Sequence, residues 1–455
     1  MTAALLATAP AATATPGAQL DRGFGQGGIA TAFGNVDYGQ TQGMALGPHG
    51  GIFVAGASTR RGGLEGTVRL LHLTPDGRLD ASFGDGGVIR PSSGAARYFG
   101  LSGIAVDGSG RPLVFGDTRD PTVVPSENTN LAAIDATVLR YEPDGRRDPS
   151  FAKDGAALLD FGLPPDLPLF PQPQVRVEAG AVDRLDRPVL VAYHFGGDEP
   201  GASRFVARLT AAGQPDASFG GGDGMGPLPP GFHGGVSIDG QGDVMTASWE
   251  FLDPNVPSLQ IARLDPSGAP NPAFGDGGVA VYPSVTSTWQ AVPAGDGRTL
   301  AVGRGPLVRA RANRPPRIRV PFTMIDADGH LDADFGQGGT ASVTMPGIGR
   351  LQRVVPDPRG GFLAAGWLKV RRHGEPLRKT PQDIVVARLL PSGKLDRHFG
   401  KQGFVVTALD RGESAVTRGL SIDPKGRLVV FALASDSQFL ETNAKAVLLR
   451  YRLSG

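Results

Sequence analysis

Leu331-Asp332-Ala333-Asp334-Phe335-Gly336-Gln337-Gly338-Gly339-Thr340 is one of seven related segments in a chain of 455 residues. The others are LDRGFGQGGI from Leu20, LDASFGDGGV from Leu79, RDPSFAKDGA from Arg147, PDASFGGGDG from Pro215, NPAFGDGGV from Asn271 and LDRHFGKQGF from Leu395. Their phenylalanines, Phe24, Phe83, Phe151, Phe219, Phe274, Phe335 and Phe399, lie on average about 62 residues apart. A period of that order, in which each unit is a small all-β element unable to bury its own faces, specifies a propeller or solenoid.

The rest of the period is legible from alternation and turn chemistry. In the second unit, residues 103–107 (GIAVD) form a short strand, Gly108-Ser109-Gly110 a tight turn, and residues 111–116 (RPLVFG) the returning strand. Glycine is required there because hairpin turns need positive φ, and aspartate can bond its own turn amides. A third strand follows at residues 137–141 (TVLRY), then the turn Pro143-Asp144-Gly145, and the Phe-Gly segment leads into a fourth. The unit is a four-stranded antiparallel meander, and hairpin and third strand each recur seven times.

These three elements, the Gly-Ile-Ala-Val-Asp hairpin, the Ala-Arg-Leu-x-Pro-x-Gly strand and turn, and Leu-Asp-x-x-Phe-Gly-x-Gly-Gly, resemble the bacterial delta-60 repeat family from about residue 20 onward. The hairpin is also similar to NHL-type propeller repeats, and that likeness implies that its first strand is innermost. The resemblance implies architecture and almost nothing about activity, because fold does not imply function. Phe151-Ala152 in place of Phe-Gly, and Pro293 where other hairpins carry an aliphatic residue, depart from the pattern and bear on local pairing.

With the hairpin strand innermost, the chain opens on an outer strand at residues 28–33 and ends on a third strand at residues 447–453, so one blade is built from both termini. Such a ring leaves no open edge between its ends. The expected fold is therefore all-β, a single seven-bladed propeller over residues 19–455, taken as a monomer. Residues 1–18 form a signal-like or disordered leader: Ala12-Thr13-Ala14 is similar to a signal-peptidase site, but a positive n-region is missing. It is taken as a secretion signal shortened by start-site choice, which gives a secreted, periplasmic or cell-surface protein.

Composition narrows the function classes. There is no cysteine, so neither disulfides nor thiolate metal sites are available. A net charge of +1 argues against wholesale nucleic-acid binding, and no apolar run is long enough to span a bilayer. The seven histidines lack metal-ligand spacing. The Phe-Gly-x-Gly-Gly glycines open strands, not phosphate-binding helices. Asp326-x-Asp328-Gly329-x-x-Asp332-x-Asp334 gathers hard oxygens but lacks EF-hand spacing and is read as turn chemistry. No cofactor, metal or catalytic residue is assigned.

In an up-and-down blade, alternate connections lie at opposite ends. Hairpin turns and Pro-Asp-Gly/Phe-Gly turns share one end, and every large insertion falls at the other, where binding sites are usually built. Two neighbouring insertions are basic: residues 304–317 carry Arg309, Arg311, Arg314 and Arg317, and residues 368–382 carry Lys369, Arg371, Arg372, Arg378 and Lys379. Converging cations suit phosphate, sulfate or carboxylate groups; a solvated rim is the alternative.

At the same end, Gln42, Ser102, Glu178, Gly234, Trp289, Gln352 and Arg418 stand just before the inner strands and are expected to ring the mouth of the central channel. Three functions follow. The first is a binding or interaction scaffold for an anionic glycan or a protein, the second a hydrolase or lactonase-like enzyme at the channel mouth, and the third a structural or adhesive module.

Overall fold

The computed structural model describes residues 17–36, 41–59, 66–91, 98–119, 134–159, 161, 175–195, 202–229, 232–253, 256–283, 285, 288–303, 307–308, 317–369, 380–409, 413–435 and 444–454. Among these, all strand pairing is antiparallel and falls into seven sheets, with no helix. Blade 1 runs from Thr41 to Ile89, blade 2 from Tyr98 to Leu159 and blade 3 from Val175 to Pro227. Blade 4 runs from Phe232 to Tyr282, blade 5 from Thr288 to Thr344 and blade 6 from Ile348 to Thr407. Blade 7 begins at Ser414. The first strand of each blade touches the first strand of the next, and Ser414–Ile422 touches Thr41–Leu46, so the protein is a seven-bladed β-propeller around a central channel.

The hydrophobic core lies between sheets. One cluster joins Val429, Phe431 and Leu448 of blade 7 to Ile52, Val54 and Leu71 of blade 1, and another joins Leu300 and Phe322 of blade 5 to Val354 and Val385 of blade 6. Each blade packs on its neighbours, and this is how a chain too long for one core remains a single ring.

The repeated motif supplies the seams. All seven motif phenylalanines are buried. Among the described residues, the residue after six of them donates its N–H across to a turn carbonyl of the following blade, as Gly84 to Asp144 and Gly220 to Ser267, both at 2.7 Å, and Gly336 to Ser392 at 2.9 Å. Where alanine replaces glycine, Ala152 still donates to Ala212 at 2.7 Å, held at a φ of +46°. That conformation strains a residue with a Cβ, and the seam geometry outweighs it. Pro293 is accommodated in the inner strand of blade 5 opposite Thr299, immediately before a shift in register.

The motif aspartate organises a second repeated unit. Asp148 Oδ1 accepts the Ser150 N–H at 2.8 Å, while Oδ2 takes Arg140 Nε of the third strand at 2.7 Å and Arg111 of the hairpin turn at 3.3 Å. The Arg140 guanidinium lies 4.5 Å over the Phe151 ring. Blade 3 repeats this with Arg208, Asp216, Arg187 and Phe219, and blade 7 with Arg450, Asp21, Arg427 and Phe24. In blade 1 the third-strand cation is replaced by His72, with Nδ1 3.0 Å from Asp80 and the ring 5.5 Å from Phe83.

The last strand, Ala444–Leu453, pairs with two N-terminal strands: Ile29 lies opposite Leu449, and Ala18 opposite Leu453. Gly17 and Ser454 exchange backbone and side-chain hydrogen bonds of 2.7 to 3.0 Å. Gly17 and Ala18, placed by the sequence in the leader, are thus part of the closing sheet; residues 1–16 lie outside the described residues. Blade 5 also carries a fifth strand, Leu307–Val308, which extends the third strand into a hairpin by pairing with Ile318 and Arg317.

Candidate functional site

The end that carries the short turns is chemically closed. Asp326, the calcium-like aspartate of the sequence, accepts the N–H groups of Asp328 at 3.0 Å and His330 at 2.8 Å, which is turn bonding. Among the described residues, no three histidine, aspartate or glutamate side chains gather in a way that could hold a metal ion.

Repeat symmetry breaks inside the channel. The innermost strand of every blade shifts register, between Thr41 and Gly43, Leu101 and Gly103, Val177 and Ala179, His233 and Val236, Thr288 and Gln290, Leu351 and Arg353, and Thr417 and Gly419, and that of blade 5 shifts a second time between Pro293 and Gly295. The residues skipped at the seven corresponding shifts include those expected at the channel mouth, Gln42, Ser102, Glu178, Gly234, Trp289, Gln352 and Arg418, with Gly235 skipped beside Gly234 in blade 4. These residues do not precede their strands; they are bulges within them, with Ser102 the fifth residue of Tyr98–Val106. Apolar alternation hides the earlier half of the strand because a bulge interrupts its period and re-aims the side chain.

The bulged side chains have different fates. Ser102 donates to the carbonyl of Val177 in the next blade at 2.6 Å. Glu178 lies 3.6 Å from Arg204, whose guanidinium is 5.4 Å over the Tyr193 ring. Burial raises the Tyr193 phenol above its ordinary value. Gln352 is buried, and its Oε1 has no hydrogen-bond partner among the described residues. Arg418 accepts a bond from Arg353 Nε at its carbonyl, 2.8 Å away. For Gln42 and Trp289 only the backbone is described.

The residue after each expected mouth position is small in five blades, Gly43, Gly103, Ala179, Gly235 and Gly419, and large in two, Gln290 and Arg353. Gln290 Oε1 accepts the Val354 N–H at 2.9 Å. Together with Arg418 these two large residues reach a cavity of about 220 Å³ on the lumen side of blades 4 and 5. Burial, then the like charge of Arg418, lowers the Arg353 guanidinium to about 10. The sequence reading missed Gln290 and Arg353, although aligning the seven hairpins exposes them as the two that break a Gly/Ala column.

Of the nine basic loop residues, the described part of the structure contains two. Arg317 is exposed at the start of the third strand of blade 5, and Lys369 ends the second strand of blade 6. Both stand at the loop end, on neighbouring blades. Arg309, Arg311, Arg314, Arg371, Arg372, Arg378 and Lys379 lie outside the described residues. The loop end also holds Trp367, with Arg350 5.8 Å over its ring. Trp367 occupies the same second-strand position as Tyr193 in blade 3 and Trp249 in blade 4.

No family model matches the sequence, and no curated protein matches it. Solved propeller structures are similar in shape. The polysaccharide lyase Uly1 superposes with a TM-score of 0.46 at 11% identity, over 93% of this chain and 92% of that one. Sqt1 from Chaetomium thermophilum gives 0.43 at 12%, over 93% and 99%. The K499G mutant of the NanB sialidase from Streptococcus pneumoniae gives 0.42 at 10%, over 93% and 71%. Likeness at this level carries no argument about activity. Among the described residues, no helix is long and apolar enough to cross a membrane.

Proposed function

We propose that this protein is a secreted or surface-associated binding propeller of the delta-60 repeat type, and that its loop end takes an anionic saccharide. The observation that carries this is the contrast between the two ends of the ring. At the turn end the same Arg-Asp-Phe unit recurs and its charges are consumed in pairs. At the loop end equivalent positions differ from blade to blade and combine aromatic rings with arginines, as in Tyr193 with Arg204 and Trp367 with Arg350. Aromatic faces pack on sugar rings, while guanidinium groups pair bidentately with carboxylate or sulfate.

A glycan array with uronate-bearing, sulfated and neutral saccharides tests this on the full chain. Retention should favour the anionic members and weaken with salt, because the Debye length falls from ~10 Å at 0.1 M to ~3 Å at 1 M. An Arg311/Arg314/Arg371/Arg372→Ala variant should elute earlier, and Trp367→Ala should weaken binding without changing the salt slope. Equal retention of the folded variants and the parent overturns the proposal. Cleavage of an arrayed saccharide would favour the hydrolase reading instead, and capture of an acidic protein with no saccharide bound would favour a protein partner.

A further inference from the structure

We infer that the lumen cavity between blades 4 and 5, lined in part by Arg353 and Arg418, is a binding site for one compact oxyanion group: carboxylate, phosphate or sulfate. It is distinct from the loop-end reading and does not depend on it.

The first argument is donor chemistry. The polar side chains on the cavity wall include Arg353, Arg418, Gln290, Ser237, Thr246 and Ser248, and among the described residues no carboxylate lines it. Arg353 spends Nε on the Arg418 carbonyl at 2.8 Å and one Nη1 proton on the Gln352 carbonyl at 3.0 Å. A guanidinium has five N–H donors, so three of them, including both on Nη2, have no protein partner among the described residues. Gln290 is oriented by its Oε1, which accepts from Val354, and its amide N–H₂ remains as a donor.

The second argument is an unsatisfied group. Thr246 is 3% exposed, lines the cavity, and its Oγ1 has no hydrogen-bond partner among the described residues. A buried hydroxyl left unpaired costs free energy, and an acceptor in the cavity would satisfy it.

The third argument is charge. Arg353 contributes to a positive lumen wall, and the charged side chain that bears on it is another arginine, Arg418. Arg353 and Arg418 repel as like charges, and an anion in the cavity that both line offsets that repulsion. About 220 Å³ is well above the ~30 Å³ share of a single water, so an oxyanion on a small organic body fits.

Symmetry marks the site as specific to this corner of the ring. The positions held by Gln290 and Arg353 are glycine or alanine in the other five blades. Inserting two large polar residues into an otherwise small-residue column fills the channel where the donors converge.

The test uses the full chain in solution. Titration calorimetry with inorganic phosphate, sulfate and acetate, at ionic strength matched with chloride, should show saturable binding of at least one. Arg353→Met keeps the volume and removes the charge, and should weaken the dissociation constant by at least about tenfold, since one charge-assisted hydrogen bond is worth about 1.5–3 kcal/mol. Thr246→Val, which keeps the shape, should weaken it less. Thermal shift alone is insufficient because sulfate and phosphate stabilise proteins generally; the shift must be lost in Arg353→Met. Should Arg353→Met fail to fold, Arg418→Met and Thr246→Val decide. The loop variant Arg311/Arg314/Arg371/Arg372→Ala should bind the small anion as the parent does, which separates this site from the loop-end saccharide. Absence of saturable binding of any of the three anions, or unchanged affinity in the folded lumen variants, overturns the inference.

Discussion

Arg450 in the last strand donates from Nε to Asp21 Oδ2 at 2.9 Å, although 429 residues of chain separate them. In blades 2 and 3 the same bond joins residues eight apart, Arg140 to Asp148 and Arg208 to Asp216. A unit that is local in blades 2 and 3 has become the clasp of the ring. Arg427 and Arg452 also reach Asp21, at 3.2 and 2.7 Å.

Asp21→Ala should therefore destabilise the protein by about 3–5 kcal/mol, because it leaves the buried Arg450 charge without its carboxylate. Chemical denaturation with urea measures this. Deleting residues 444–455 removes the strand that both N-terminal strands pair with, and should abolish cooperative unfolding. A truncated chain with an unchanged transition would mean that the ring closes in some other way.

Phe219→Ala should cost about 3–5 kcal/mol. The ring is fully buried between blades 3 and 4 and also carries Arg208 4.5 Å above it. Saccharide and small-anion binding by the fraction that remains folded should be unchanged. A stable variant that has lost binding would instead place Phe219 at a ligand.

Gly268 and Gly277 both have positive φ, +85° and +59°, but only Gly268 sits in a seam. A Cβ there would meet Gly220 N and the Phe219 ring at 2.8 Å, whereas one on Gly277 meets nothing within 4 Å. Gly277→Ala should cost only the backbone term, ~1–2 kcal/mol, and Gly268→Ala distinctly more. Equal losses in thermal unfolding would mean that the seam yields freely.

Acid should unfold the protein in two stages. Burial, opposed by Asp80, lowers the His72 imidazole below its ordinary 6.5. The unfolded chain then takes up the proton first, so stability falls as pH drops below 6.5. His72→Gln should flatten that stage. Burial by itself would raise the carboxyls of Asp148 and Asp216, but Ser150 with Arg140, and Ser218 with Arg208, hold both below 3.8. Their contribution is present above about 3.8 and is lost as pH falls through the lowered folded values. Denaturant midpoints across pH 2–8 check both stages, and Asp216→Asn should make the lower one shallower.

Local chemistry alone determined the blade. Glycines at positive φ, aspartates that bond their own turns, and apolar alternation act over a few residues, so seven repeats of them announce seven meanders and the partnership of the two chain ends. The roles of the motif Phe and Asp were legible for the same reason, since each copy repeats the environment of the others. What depends on meetings between distant segments was hidden. Residues 102, 178, 352 and 418 were expected just before the inner strands, yet their place on bulges within those strands comes from pairing with the second strand. No local pattern places Arg353 against the Arg418 carbonyl or brings it, two blades away in the ring, to the cavity that Thr246 lines. Those distances are set by the closure of the ring, which brings side chains from blades 4 to 7 into one lumen whose chemistry belongs to none of the repeats separately.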